Sequence, residues 1–413
     1  MIDQLPDHRP LPDDVRLRAR RRLSEGMDPR ARNGRPVVIA AGVALLAATT
    51  VFASQALLGG SADVAGPPMQ YNGEFVGKDR NVVNNVGKGP LGPDMMARCT
   101  AAATAHPPAD QWSLIALSHK NGTVLSAFRA STGVFFCANT ATTTTISAPD
   151  TARLAEGRGQ VKVLFTTPSG AMAGLVSPDV KFLSLSRIAD PGWNNTSPGI
   201  IEGLFLAPTG YVKAETGTKA LVNGEETVLR GVPGPTASVT DLPLPPADRS
   251  TPEAQRLAAC LRDRAVPDAD QFSHGVTAKV SATSTIVLGG FGNLMFYCLD
   301  DGTQRRGLVY DLREPDDMEL VQGQTIGSVR AFHDFVPVEG GGEKSEDFAA
   351  VGILFDPQVA SITYTAPGAA DVPAVIGNGT FVLAAPFIEN RPGAQVVVRD
   401  ARGTVLETIT PKR

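Results

Sequence analysis

Histidine, cysteine and aromatic side chains are scarce in this sequence, and each scarcity narrows what the chain can do. Aromatics are 6% of the 413 residues, with two Trp and five Tyr, and there are five His and four Cys. No cysteine has a CxxC neighbour and the histidines are scattered, so no metal site is expected. GxSxG, SxxK and HExxH are all absent, which removes the commonest signatures of α/β-hydrolases, penicillin-binding enzymes and zinc proteases. A His–Asp pair at His333-Asp334 and an acidic run at Glu314–Glu319 read as surface features. Gly289-Gly290-Phe291-Gly292 lacks the basic residue and helix of a phosphate loop and reads as a hairpin turn. Trp193 and Tyr211 read as packing residues. No catalytic residue and no cofactor is assigned.

Net charge is also small, at −4. Phosphate binding needs a concentrated positive field, so nucleic acid is not an expected partner. The one basic concentration is N-terminal, where nine arginines (Arg9, Arg16, Arg18, Arg20, Arg21, Arg22, Arg30, Arg32 and Arg35) precede an apolar run. That run, Val37–Leu58, carries no charge over 22 positions. A helix of that length spans roughly 33 Å, enough for the hydrocarbon core of a bilayer. Arginines resist translocation, so residues 1–36 are expected as a cytoplasmic tail and 37–58 as a single transmembrane helix in the lipid bilayer of the cell membrane. The C-terminal remainder is then extracytoplasmic. Leu11–Gly26 reads as a basic helix resting on anionic headgroups. A cleaved signal peptide is the alternative, because Ser54-Gln-Ala56 has the small-x-small pattern of a cleavage site. Both routes export the bulk of the chain.

All four cysteines, Cys99, Cys137, Cys260 and Cys298, follow the apolar run, and the first two and the last two are each 38 residues apart. Their surroundings repeat. DMMARCTAAATAHPPADQW around Cys99 faces AQRLAACLRDRAVPDADQF around Cys260, and VFFCAN faces MFYCLD. Downstream, Gly174–Val180 matches Gly352–Val359, Gly203–Leu206 matches Gly379–Val382, and the Leu221–Leu229 region matches Val398–Leu406. The chain therefore contains a duplication. An even cysteine count in an exported region implies disulfides. Four cysteines allow three connectivities, and a duplicated unit bringing its own bridge selects Cys99–Cys137 and Cys260–Cys298. Each closes a loop of about 39 residues, stabilising by roughly 4 kcal/mol.

Turn-forming residues are abundant, with 42 Gly and 32 Pro, which favours many short strands. Each copy opens with a helix, Asp94–Ala105 and Pro252–Arg262. Strands follow at Trp112–Leu117, Thr123–Phe128 and Gly133–Ala138, with an Asn121-Gly122 turn. Five further strands are expected at Val161–Thr167, Ala173–Val176, Lys181–Ser186, Gly203–Ala207 and Lys219–Leu229. The expected fold class is α+β, mainly β: an N-terminal transmembrane helix followed by two tandem copies of a helix-plus-β-sandwich-like unit. Residues 59–90 read as a stalk, 91–231 as the first copy, 232–252 as a spacer with six prolines, and 253–413 as the second copy. Gly340–Asp347 reads as a solvated loop. Asn121, Asn194, Asn195 and Asn378 head Asn-x-Ser/Thr sequons.

The LPDDVRLRARRR run, the Ala-rich anchor, the GLVSPDV and GLF segments and the closing NGEETVL and DARGTVL together resemble uncharacterised membrane-anchored proteins of actinobacteria with a duplicated extracytoplasmic domain. The resemblance implies a Gram-positive cell-envelope location and supplies no catalytic residues. The expectation is a non-catalytic ectodomain that binds or organises an envelope protein or polysaccharide. A transmembrane, anti-sigma-like signalling regulator and a cell-envelope hydrolase are the alternatives.

Overall fold

The computed structural model describes residues 74–76, 85–188, 195–209, 217–262, 264–302, 305–313, 319–337, 343–384 and 392–412. The chain divides into residues 1–54 and 55–413, and all described residues fall in the second unit. The tail and the apolar run at 37–58 lie outside the described residues. Among the described residues no helix is long and apolar enough to cross a membrane.

Two strands, β1 (Glu74–Val76) and β2 (Asn85–Lys88), precede helix α1 (Pro93–Ala102). A meander follows: β3 (Ser113–Lys120), β4 (Thr123–Ala130), β5 (Gly133–Asn139) and β6 (Thr143–Ile146). Next come β7 (Val161–Thr166), β8 (Met172–Val176), β9 (Leu183–Arg187) and β10 (Asn195–Thr196). The first copy ends with β11 (Gly199–Ile201), β12 (Leu204–Ala207), β13 (Thr218–Val222) and β14 (Glu225–Val228). A short β15 (Val239–Thr240) lies between the copies.

The second copy opens with α2 (Pro252–Arg262), then β16 (Ser273–Lys279), β17 (Thr285–Phe291), β18 (Leu294–Asp300) and β19 (Arg305–Asp311). It continues with β20 (Glu319–Gln322), β21 (Ile326–Pro337), β22 (Glu343–Leu354), β23 (Ser361–Thr365) and β24 (Val372–Pro373). Its last strands are β25 (Val375–Gly377), β26 (Thr380–Leu383), β27 (Gln395–Arg399) and β28 (Val405–Ile409).

Sheet order repeats between the copies. The meander β3-β4-β5-β6 corresponds to β16-β17-β18-β19, and β11-β12-β8-β7 corresponds to β25-β26-β22-β21. The third sheet, β10-β9-β13-β14, corresponds to β24-β23-β27-β28. Each copy is thus a helix and three sheets in layers. The period of two along a strand explains how one strand serves two cores. On β5, Phe135 and Cys137 face helix α1, while Phe136 and Ala138 face the second sheet. On β18, Phe296 and Cys298 face α2, while Met295, Tyr297 and Leu299 face the second sheet. A further core lies between the second and third sheets, around Phe205 and Leu185 in one copy and Phe381 and Tyr364 in the other. Each buried phenylalanine contributes about 1.5–3 kcal/mol.

Several sequence expectations change. The stretch 59–90 is not wholly a stalk, because β1 and β2 extend the first sheet, with Val86 opposite Ser118 and buried among Ile115 and Ile201. Lys219–Leu229 is two strands rather than one. Asn223 and Gly224, at φ 50° and 97°, turn the chain between β13 and β14. Glu343–Asp347 is not loop: it pairs with the end of β21. The proline spacer is extended but docked at both ends.

Candidate functional site

Both disulfides lie within a copy: Cys99–Cys137, with S–S 2.02 Å, and Cys260–Cys298, with S–S 2.01 Å. Each joins the opening helix to the third meander strand, and all four cysteines are buried. Asn139 Nδ2 donates toward Cys99 Sγ at 3.1 Å. The bridges are structural parts of the core.

Other residues singled out by sequence are dispersed. His106 packs edge-on against Phe135 and its Nε2 lies 2.8 Å from the Ser147 carbonyl. His333 and Asp334 fall within β21, and Glu319 opens β20. Gly292 and Asn293 form the turn between β17 and β18. Trp193, Asn194, Tyr211 and residues 314–318 lie outside the described residues, and Asn195 opens β10. Among the described residues no cluster of His, Cys, Asp and Glu could hold a metal ion.

What the fold does assemble is a groove of about 620 Å³ on the second copy. One wall is the proline segment Leu244-Pro245-Pro246-Ala247-Asp248. The floor and far wall come from the ends of three elements: Phe291 at the β17–β18 turn, Ile353 and Phe355 at the end of β22, and Ile376 and Asn378 at the β25–β26 turn. Gln271 and Ser273 add polar groups. Among the described residues no Lys, Arg, His or Cys lines the groove.

The proline wall is a strap held at both ends. At one end Val239 and Thr240 pair with β6, and the Leu242 N–H donates to the Thr142 carbonyl at 3.2 Å. Arg98 grips Asp241 there by two bonds, Nε to Oδ2 at 2.6 Å and Nη2 to Oδ1 at 2.9 Å. Burial opposes ionisation of Asp241, but the Arg98 guanidinium and the Thr144 hydroxyl outweigh it and hold the carboxyl below its usual range. At the other end the Ala247 N–H donates to the Asp270 carbonyl at 2.8 Å. Prolines 243, 245 and 246 fix φ near −65° and bias each preceding residue to extended backbone. The strap therefore cannot collapse into a helix or donate across a sheet ladder.

The frame behind the strap is fixed by contacts between the copies. Asp268, in the left-handed region at φ 49°, caps the β5–β6 turn of the first copy. Its carboxylate accepts from Thr140 Oγ1 at 2.7 Å, from the Ala141 N–H at 2.9 Å and from the Thr142 hydroxyl. In the other direction, Asn121 at the β3–β4 turn reaches the edge strand β19. Its Nδ2 donates to the Val309 carbonyl at 2.8 Å and its Oδ1 accepts from the Asp311 N–H at 3.0 Å. The proline strap and Asp268 had no motif to mark them; only the density of prolines pointed to the strap.

Charge near the groove is mixed: Asp248 is on the lining, and the Arg313 guanidinium lies over the ring of the lining residue Phe355, 5.0 Å from its centroid. Hydrogen bonds from the Ser250 N–H and hydroxyl hold the Asp248 carboxyl below its usual range. Arg249 is half-buried and turned to the Ala269 carbonyl at 3.4 Å, with Asp270 and Asp248 close to it. Burial pushes the His274 imidazole down, with Glu253 opposing and Arg249 adding to the shift.

The first copy differs at this end. Ser113 faces Arg129 where Ser273 faces Gly290, and the turn residue Glu202 stands where the second copy has Asn378. Lys88 pairs with Glu202. Charged side chains thus stand where the second copy has the uncharged Gly290 and Asn378. No protein-family model, no curated protein and no solved structure matches this chain.

Proposed function

We propose that this chain is a membrane-anchored extracytoplasmic binding protein of the cell envelope, with its ligand site in the groove of the second copy and a structural role for the first. The groove carries the reading. It has the volume of a ligand pocket, its walls are largely apolar with a few polar groups, and its frame is fixed by bonds from both copies. The charged residues at the matching end of the first copy support a division of labour between the two. Buried disulfides support an oxidising compartment. Anchoring through residues 37–58 rests on the sequence.

Two measurements test this. Membranes are washed with alkaline carbonate: retention of the full-length chain is expected, and its release would remove the anchor. Hydrogen exchange of the full-length chain is then followed with and without solubilised envelope extract. Slowed exchange is expected at residues 290–294, 353–357 and 376–380, with no change at 130–134, 175–179 and 200–204. Equal or absent protection at the two sets would end the assignment to the second copy.

A further inference from the structure

The groove's hydrogen-bonding complement narrows its ligand. Along the strap, the carbonyls of Leu244, Pro245 and Pro246 accept no hydrogen bond from any described residue. Proline-locked extended backbone turns once in about three residues, so three successive carbonyls fan around the axis and at least one faces the groove whatever the roll of the strap. Pro245 and Pro246 have no N–H to offer beside them. This wall presents acceptors and almost no donors. At the strap's end Asp248 adds a carboxylate, and Asp270 and Glu253 lie around Arg249 and His274 just behind.

Among the described lining residues the one charge is the Asp248 carboxylate, and the nearby Arg313 and Arg249 guanidiniums are engaged with the Phe355 ring and the Ala269 carbonyl, so an anionic ligand is the poorer match. An acyl chain would fill the apolar walls but leave the carbonyls of the strap unanswered. A glycan carries hydroxyl donors and would meet the Phe291 and Phe355 rings, but the aliphatic and proline lining at Leu244, Pro245, Ile353, Val359 and Ile376 gives its remaining hydroxyls no partner. An extended polypeptide meets all three conditions. It has N–H donors at each residue, apolar side chains for the pockets beside Phe291 and Phe355, and basic side chains to match Asp248.

Resting on the binding reading above, we propose that the groove takes an extended protein segment with apolar side chains and a basic flank, held by its backbone N–H groups against the strap carbonyls. Its backbone runs along the strap, its N–H groups meeting the strap carbonyls that face the groove and its apolar side chains entering the groove.

The test is fluorescence anisotropy with the full-length chain, using the labelled peptide Ac-Lys-Ala-Val-Phe-Ala-Lys-NH2. Its companions are a version with both lysines replaced by glutamate and a version N-methylated along the backbone. Chitohexaose and palmitate serve as competitors. The basic peptide is expected to bind, and the glutamate and N-methyl versions to bind about tenfold more weakly or worse. Asp248→Lys, at an exposed position, should shrink the lysine-over-glutamate preference to about threefold or less. Leu244→Arg with Pro246→Arg should abolish binding while circular dichroism and disulfide content stay unchanged. Equal binding of the N-methylated peptide overturns the backbone-donor assignment. Displacement by chitohexaose or palmitate, with no peptide preference, overturns the protein class. If no peptide binds but envelope extract still protects the second-copy segments in exchange, the class is wrong and the groove stands. Loss of both results ends both readings.

Discussion

Gly174 lies under the ring of Phe205. The two residues face each other across β8 and β12, and a Cβ at Gly174 would stand 2.8 Å from Phe205 Cε1 and overlap the Lys162 carbonyl oxygen. Gly352 and Phe381 repeat this across β22 and β26, with a Cβ at Gly352 only 2.5 Å from Phe381 Cε1. An aromatic ring covering a cross-strand glycine exchanges a side chain for close sheet packing. Because carbonyl oxygens crowd both sites, the strain cannot be relieved by a rotamer change. Gly174→Ala and Gly352→Ala should each destabilise by about 1–3 kcal/mol, measured in denaturant. Gly234→Ala, outside the left-handed region like Gly174 and Gly352 and with nothing within 4 Å of a new Cβ, is the control. If both core variants melt like wild type, the glycines are not packing sites.

These glycines show what the sequence could carry. Gly174 and Gly352 were visible as members of matched segments, since a repeat preserves residues that local geometry demands. Cys99 and Cys260 were visible for the same reason. The layering was not. Alternation on β5 places Phe135 and Phe136 in different cores, but nothing in VFFCAN says that a second sheet, rather than solvent, lies on one side. Val86 was unreadable as a strand residue because its short polar neighbours, Asn85 and Gly87, resemble a linker until β3 lies beside them. The groove was hidden most completely. It is built from Leu244, Phe291, Ile353 and Ile376, which lie far apart in sequence and carry no motif.

The joint between the copies rests on few side chains, so it is open to single substitutions. Asp268 already sits at φ 49°, where glycine is unstrained, so Asp268→Gly removes the carboxylate without straining the folded backbone. It should cost about 1–3 kcal/mol through the unmet Ala141 and Thr142 donors. Asp268→Asn keeps an acceptor and should cost less. Limited proteolysis within 232–250 should quicken in the glycine variant. An unchanged cleavage rate would show that Asp268 does not hold the copies together. On the opposite contact, Asn121 is 1% exposed, so its sequon should stay unmodified in a glycosylating host while the fold is intact.

Burial also governs the disulfides. Cys99 and Cys137 are fully enclosed, and Cys260 and Cys298 are only 2% and 1% exposed. A reductant reaches sulfur only by attack on an accessible face, so neither bridge should open in native buffer with millimolar thiol. Removing one bridge by Cys260→Ala with Cys298→Ala should cost about 2–5 kcal/mol. Mass spectrometry after alkylation, with and without urea, reads the first claim. Rapid labelling of native protein would mean that a helix, α1 or α2, opens far more easily than its packing implies.

Acid should weaken the fold in two stages, and the signs follow from three groups. Burial disfavours the charged form of Glu407, but the Thr325 hydroxyl and the N–H groups of Gln324 and Thr325 prevail and keep its carboxyl low. Asp241 is held low by Arg98 against a similar burial penalty. Groups with a depressed folded pKa leave the unfolded chain holding more protons in acid. Their stabilisation is therefore complete above the ordinary carboxyl range, about 4, and is lost as pH falls through the folded values. His274, lowered by burial, acts earlier: the unfolded imidazole takes its proton near 6.5 while the folded one resists, so stability begins to fall below that pH. Urea melts between pH 7 and 3 should show a shallow decline followed by a steeper one. Asp241→Asn should be weaker at pH 7 and lose less between pH 5 and 3. His274→Gln should flatten the shallow stage alone. A single transition common to all three proteins would mean that these groups do not carry the acid response.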